Sequence, residues 1–277
     1  FFFFLLEEKT LKNLLKIALA LGFGMITKLN CAVMAFPLAA VFLLHFISEC
    51  KNGRMWKSIK EYAIFLAVTA GIGLSWVVRN LVFYDTNPGV PVLTEESEQF
   101  IGRFSYWDVF GIPSSLELEY PFHTINGYTI CNVWHILFRT SLFDEIRPDL
   151  SDFLLMCFRI ALVLAATLGI VLFIITIIME IREIKKGDKD LGVFLLVGHV
   201  IVFLTFIAFI VKYMYTCSAN YRYVVVGLLF STIGLLQFSD KSRMHNKTHA
   251  VLSCVVEFGV FAFVTIITLV LLVWNQW

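Results

Sequence analysis

Three basic residues stand where apolar chain gives way to polar chain. They are Lys28 after Gly22-Phe-Gly-Met-Ile-Thr27, Arg79 in Trp76-Val77-Val78-Arg79-Asn80, and Arg222 in Asn220-Tyr221-Arg222-Tyr223. Charge beside hydrocarbon is costly, so such residues either reach along the helix end to water or face a cavity or a partner. Lys212, alone after an apolar run, fits the first description. Arg79 and Arg222 sit among aromatic and polar neighbours and fit the second better. Cations gathered at one depth suit a phosphate or diphosphate head group, with arginine giving bidentate contacts and lysine a point charge. The expected binding set is Lys28, Arg79, Asn80, Arg222 and Tyr223.

The remaining reactive side chains point to less. Among Asp85, Glu95, Glu96, Glu98, Asp108, Glu117, Glu119, Asp144 and Glu145 no pair stands out as acid and base, and solvated surface positions are expected for them. Glu257 is different, because it lies inside an apolar run about 12 Å from its start at His249. It could pair with His199 or serve a proton path. Arg159 is expected to meet an acid of the polar stretch that precedes it. His123 and His135 lack a third ligand at metal spacing, so no metal site is expected. The six cysteines show no CxxC spacing and read as small hydrophobes without disulfides. No P-loop, GxGxxG or Ser-His-Asp order occurs. Neither a cofactor nor a nucleic-acid partner is expected.

The elements that must position these residues follow from composition. The chain is 59% hydrophobic and 16% charged, against about 25% charged in soluble domains. That excludes an ordinary soluble protein and predicts an all-α polytopic membrane protein, its partner the lipid bilayer. Seven spans are expected: Leu14–Ile26, Cys31–Ile47, Tyr62–Val78, Phe153–Met179, Leu191–Val211, Val224–Phe238 and His249–Trp274. Between the third and fourth lies a long polar insert, from Trp76 to Asp152, with eleven carboxylates against four arginines. Short basic loops around residues 51–60, 182–189 and 241–247 have the opposite sign. By the positive-inside rule those loops are cytoplasmic and the insert is external.

Within the insert, Phe100, Phe104 and Trp107 are spaced for an interfacial helix over Ser97–Phe110, and Thr129–Phe143 for a second interfacial or re-entrant one. The chain then divides into residues 1–80, with the tail of one helix and three spans, an external loop domain over 81–152, and four spans over 153–277. Phe1 to Leu6 read as the end of a membrane helix whose beginning lies upstream, so a fragment is expected.

Four motifs in this order carry a resemblance: Gly22 to Lys28, Trp76 to Asn80, Thr140-Ser141-Leu142-Phe143-Asp144-Glu145, and Asn220 to Tyr223. Together they resemble the bacterial GT-C glycosyltransferases, the membrane enzymes related to protein O-mannosyltransferases and to lipid A aminoarabinose transferase. The resemblance implies transfer of a sugar from a polyprenyl-phosphate donor to an acceptor lipid, glycan or protein, on the outer face of the bacterial plasma membrane. It places Lys28, Arg79 and Arg222 around the donor phosphate or sugar. It also implies a catalytic Asp in a first external loop, which has no counterpart here and is expected upstream. Displacement by a carboxylate-activated acceptor would invert the anomeric centre. The competing expectation is a transporter or flippase for a lipid-linked sugar, which calls for polar residues in mid-span. His199 and Glu257 are the main ones.

Overall fold

The structure is a computed structural model that describes residues 10–84, 95–97, 99–119, 121, 130–143, 151–186, 189–227, 229–234, 236 and 247–274. These residues are mostly helical, with no strand among them beyond an isolated antiparallel bridge between Phe100 and Tyr215. The helices are α1 (Leu11–Thr27), α2 (Ala35–Lys51), α3 (Met55–Gly73), α4 (Ser75–Tyr84), α5 (Tyr106–Phe110), α6 (Ser115–Glu119), α7 (Val133–Phe143), α8 (Asp152–Lys186), α9 (Lys189–Lys212) and α10 (Lys247–Trp274). A further helical stretch occupies 229–234.

Among the described residues three segments are long and apolar enough to cross a membrane: Asn30–Lys51, Asp152–Lys185 and Lys189–Lys212. The pair α3 and α4 makes a fourth if it is counted as one span bent by 43°. The described residues thus include the apolar helices of a multi-pass membrane protein, three or four of them by length and composition, and the other expected spans are not confirmed. Helix α1 has 17 residues, a rise of about 26 Å against a hydrocarbon core of about 30 Å. In the expected sixth span residues 224–226 form a turn and 229–234 are helical, while 228, 235, 237 and 238 lie outside the described residues. Within α10 the described apolar stretch is Cys254–Leu269.

The chain divides into two compact units. The first comprises Phe1–Val92 and Ile177–Thr205. Thr10 caps α1, its Oγ1 accepting from the Asn13 amide at 3.4 Å. Leu14, Ile17, Ala18, Leu21 and Met25 then form one buried stripe at helical spacing. Small residues let α1 and α3 approach: a Cβ on Gly22 would stand 3.0 Å from Ile72 Cβ, and one on Gly73 2.7 Å from Met25 Sδ. Pro37 lies in the first turn of α2, where a missing N–H costs nothing. The α2–α3 turn requires Gly53 at φ +72°. Beside it the Arg54 guanidinium grips the Glu49 carboxylate through two bonds of 2.7 Å.

The second unit comprises Leu93–Thr176 and Phe206–Trp277. Its core gathers Ile101, Val109, Ile130, Cys131, Val133 and Ile136 with Phe206, Ile210 and Ala219. The polar insert thus has a protein core of its own. A second cluster joins Phe158 and Leu162 of α8 to Phe138 and Leu142 of α7 and Ile266 of α10.

Candidate functional site

The insert is built on two capping boxes. Ser105 and Asp108 exchange bonds at the start of α5, Asp108 N–H to Ser105 Oγ and Ser105 N–H to Asp108 Oδ2, each 3.2 Å. Ser114 and Glu117 do the same for α6, at 3.3 Å and 3.0 Å. Glu117 then goes further than capping. It is 1% exposed, and its Oε1 accepts the Cys131 amide at 3.2 Å and the Asn132 amide at 3.0 Å. Asn132 is buried and fully used. Its Nδ2 donates to Asp108 O at 3.2 Å and Gly111 O at 2.9 Å, while its Oδ1 accepts the Trp134 and His135 amides at 3.1 Å, capping α7. Two side chains thereby tie α5, α6 and α7 together.

This network corrects three expectations. Glu117 is a buried structural carboxylate rather than a solvated one. The helix expected over Ser97–Phe110 is confined to Tyr106–Phe110, because Gln99 to Ile101 is extended against Met214 to Thr216. Ile101 N–H donates to Met214 O at 2.8 Å, and Thr216 N–H to Gln99 O at 2.9 Å. The second expected interfacial helix starts at Val133, and its apolar face, with Val133 and Ile136, lies in the insert's own core. The Cys131 thiol is pushed up to about 12, first by burial and then by the Glu117 and Asp108 charges, so it is chemically inert.

Helix α7 also carries His135 and Arg139 one turn apart. His135 Nε2 and Arg139 Nη1 both lie 3.5 Å from the Pro121 carbonyl. Arg159 reaches the insert as expected, but it donates to the main-chain carbonyl of Glu119 rather than to a carboxylate. Arg159 thus covers the carbonyl end of α6, where the helix dipole favours a cation, and Arg139 lies just beyond it at Pro121. Burial holds the His135 imidazole down at about 4, with the Arg139 charge adding to the effect.

At its far end α7 meets the Asn220–Tyr223 motif. Thr140 Oγ1 donates to Ile136 O at 2.8 Å and accepts the Tyr221 amide at 2.8 Å. Asn220 is 1% exposed, and its Oδ1 accepts the Arg222 amide at 2.9 Å, fixing the 3-10 turn. Arg222 is consequently held on the surface, its guanidinium carbon 5.3 Å from the Tyr223 ring centre. Tyr223 packs on the insert core and on Phe209, ring centres 4.9 Å apart.

The other expected binding residues belong to the first unit. Lys28 is the exposed C-cap of α1, its amide bonded to Gly24 O at 2.9 Å. Arg79 is exposed on α4 and donates to the Tyr84 hydroxyl at 3.1 Å, so its aromatic partner is Tyr84 rather than Trp76. Asn80 beside it is half-buried. Lys28, Arg79 and Asn80 thus fall in one compact unit, Arg222 and Tyr223 in the other.

His199, the partner expected for Glu257, meets another carboxylate. His199 Nδ1 lies 2.5 Å from Glu180 Oε1 instead, both in the first unit, while Glu257 belongs to the second. Among the described residues no three His, Cys, Asp or Glu side chains are grouped to hold a metal ion. Asp85, Glu98, His123, Asp144 and Glu145 lie outside the described residues. Ser114-x-x-Glu117 was a readable capping signal. Nothing in the spacing marked Glu180, which sits in the mixed run Glu180-Ile181-Arg182-Glu183. No protein-family model, curated protein or solved structure matches the chain.

Proposed function

We propose that this protein is a multi-pass membrane glycosyltransferase, moving a sugar from a polyprenyl-phosphate donor to an acceptor on the outer face of the bacterial plasma membrane. One observation carries the reading. The 2.8 Å bond from the Tyr221 amide to Thr140 Oγ1 joins two of the four motifs across eighty-one residues of chain. It anchors the turn from which Arg222 is displayed. A mobile arginine at a helix end needs no such anchor, whereas an arginine that binds a phosphate in a fixed geometry does.

In this reading the acceptor hydroxyl gives its proton to a carboxylate base, and its oxygen bonds to the anomeric carbon as the bond from that carbon to the phosphate oxygen breaks. The lipid phosphate leaves with the electron pair. Arg222 stabilises the charge that develops on it. The protein encoded by the complete gene, inserted in vesicles and supplied with a polyprenyl-phosphate sugar and an acceptor hydroxyl, tests this by release of the lipid phosphate. Arg222→Ala should lower the rate about a hundredfold or more, with membrane insertion intact and Arg222→Lys intermediate. Near-normal release in Arg222→Ala would overturn the reading.

The buried Glu180–His199 contact favours a second reading, transport of a lipid-linked sugar, since ionisable residues within apolar helices mark ion and substrate paths. In that case sugar crosses the vesicle membrane while the donor stays intact.

A further inference from the structure

Helices α8 and α9 carry Glu180 and His199 about 9 Å and 15 Å from the ends that face residues 187–188. Both side chains are enclosed by protein: Glu180 is 0% exposed and His199 4%. His199 Nδ1 and Glu180 Oε1 are 2.5 Å apart. Glu180 Oε2 is buried and has no partner among the described residues. The close approach around them is tight: a Cβ on Gly192 would stand 2.9 Å from the Glu180 carbonyl oxygen.

An ionised carboxylate spreads its charge over both oxygens, and here one buried oxygen would carry that charge with no donor among the described residues. A carboxylic acid removes the problem. Its O–H donates from Oε1 to Nδ1 of a neutral imidazole, leaving Oε2 as an uncharged carbonyl. No other described ionisable group lies within ion-pair distance of Glu180. On α8, Glu183 is buried one turn nearer the helix end, while Arg182 and Lys185 are exposed. At the start of α9, Lys189 is exposed and Asp190 half-buried. The first unit's other helices contribute the separate His45–Tyr62 contact of 2.7 Å and the Arg54–Glu49 pair.

We infer that the Glu180–His199 pair is a proton-binding site enclosed between α8 and α9, in which the Glu180 carboxyl holds one proton and His199 Nδ1 accepts its hydrogen bond. The ligand is a hydron, not a metal ion: two side-chain ligands and a tightly packed surround suit the smallest cation. The site depends on neither functional reading above.

Infrared spectroscopy of the full chain in lipid vesicles tests it, with the pH varied around neutrality. The expected result is a protonated-carboxyl C=O band at neutral pH that shifts in D2O and is lost in Glu180→Gln. In His199→Gln the band should persist at a shifted frequency, because the amide replaces the imidazole as acceptor. If Glu180→Gln does not insert, Glu180→Asp keeps the acid and must move the same band. Nitrogen-15 NMR of His199 should report a neutral ring with an unprotonated Nδ1. An ionised Glu180 at neutral pH, seen as absence of that band together with an imidazolium signature, overturns the proposal.

Discussion

His135 shows how one buried side chain makes the insert sensitive to acid. Its imidazole titrates at about 4 when folded, against an ordinary value of 6.5. Between those pH values the unfolded chain binds more protons than the folded one, so stability rises with pH across that window. Acidification from about 6.5 to about 4 should therefore cost the insert as much as about 3 kcal/mol. Hydrogen exchange of the α7 amides should speed up on acidification through this range, after correction for intrinsic rates. His135→Gln should flatten that response. An unchanged pH response in the variant would assign the effect elsewhere. Glu117 differs because it works as an acceptor: three backbone amides depend on it, and each buried donor left bare costs about 1–3 kcal/mol.

At the scale of elements, the bend between α3 and α4 decides where Arg79 stands. The sequence reads as one span over Tyr62–Val78, yet the helix breaks at Leu74. Gly71 and Gly73 weaken it there, and the Ser75 hydroxyl donates to Ile72 O at 2.6 Å, competing with the helix's own bonding. The α1–α3 contact is set by close packing and yields a graded prediction. Gly22→Leu drives a side chain into β-branched Ile72 and should lower stability by about 1–3 kcal/mol in detergent unfolding. Gly73→Ala adds a single methyl against Met25, whose Sδ and Cε can swing aside while its Cβ at 3.0 Å stays close, and should cost less. Equal losses would mean that the contact is not limited by side-chain stiffness.

At the scale of the whole molecule, sidedness rests on charge. The α2–α3 turn, with Lys51, Arg54 and Lys57, is expected on the cytoplasmic side. Cys50 is exposed at that turn and provides a reporter. A membrane-impermeant thiol reagent should modify Cys50, read by peptide mapping, only once admitted to the cytoplasmic side. Modification from outside would invert the topology and move the insert to the cytoplasm, which would sink an external transferase. Buried Cys131, its thiol held in the neutral form, should resist the reagent from either side.

Local chemistry made much of this legible in the sequence. Apolar runs gave α2, α8 and α9, because a helix in hydrocarbon must satisfy its own backbone and needs only length and apolarity to declare itself. The Ser105–Asp108 and Ser114–Glu117 spacings are equally local signals of two helix starts, but the aromatic spacing pointed to a helix from Ser97 instead. Phe100, Phe104 and Trp107 misled, since an aromatic periodicity says nothing of the Phe100 bridge to Tyr215, formed with chain more than a hundred residues away. Which carboxylate meets His199, that Thr140 holds the Tyr221 amide, and that Glu117 is buried were decided only by tertiary packing. Each is a pairing across long sequence separation or between helices, set by which faces bury together, and no single segment's pattern contains that information.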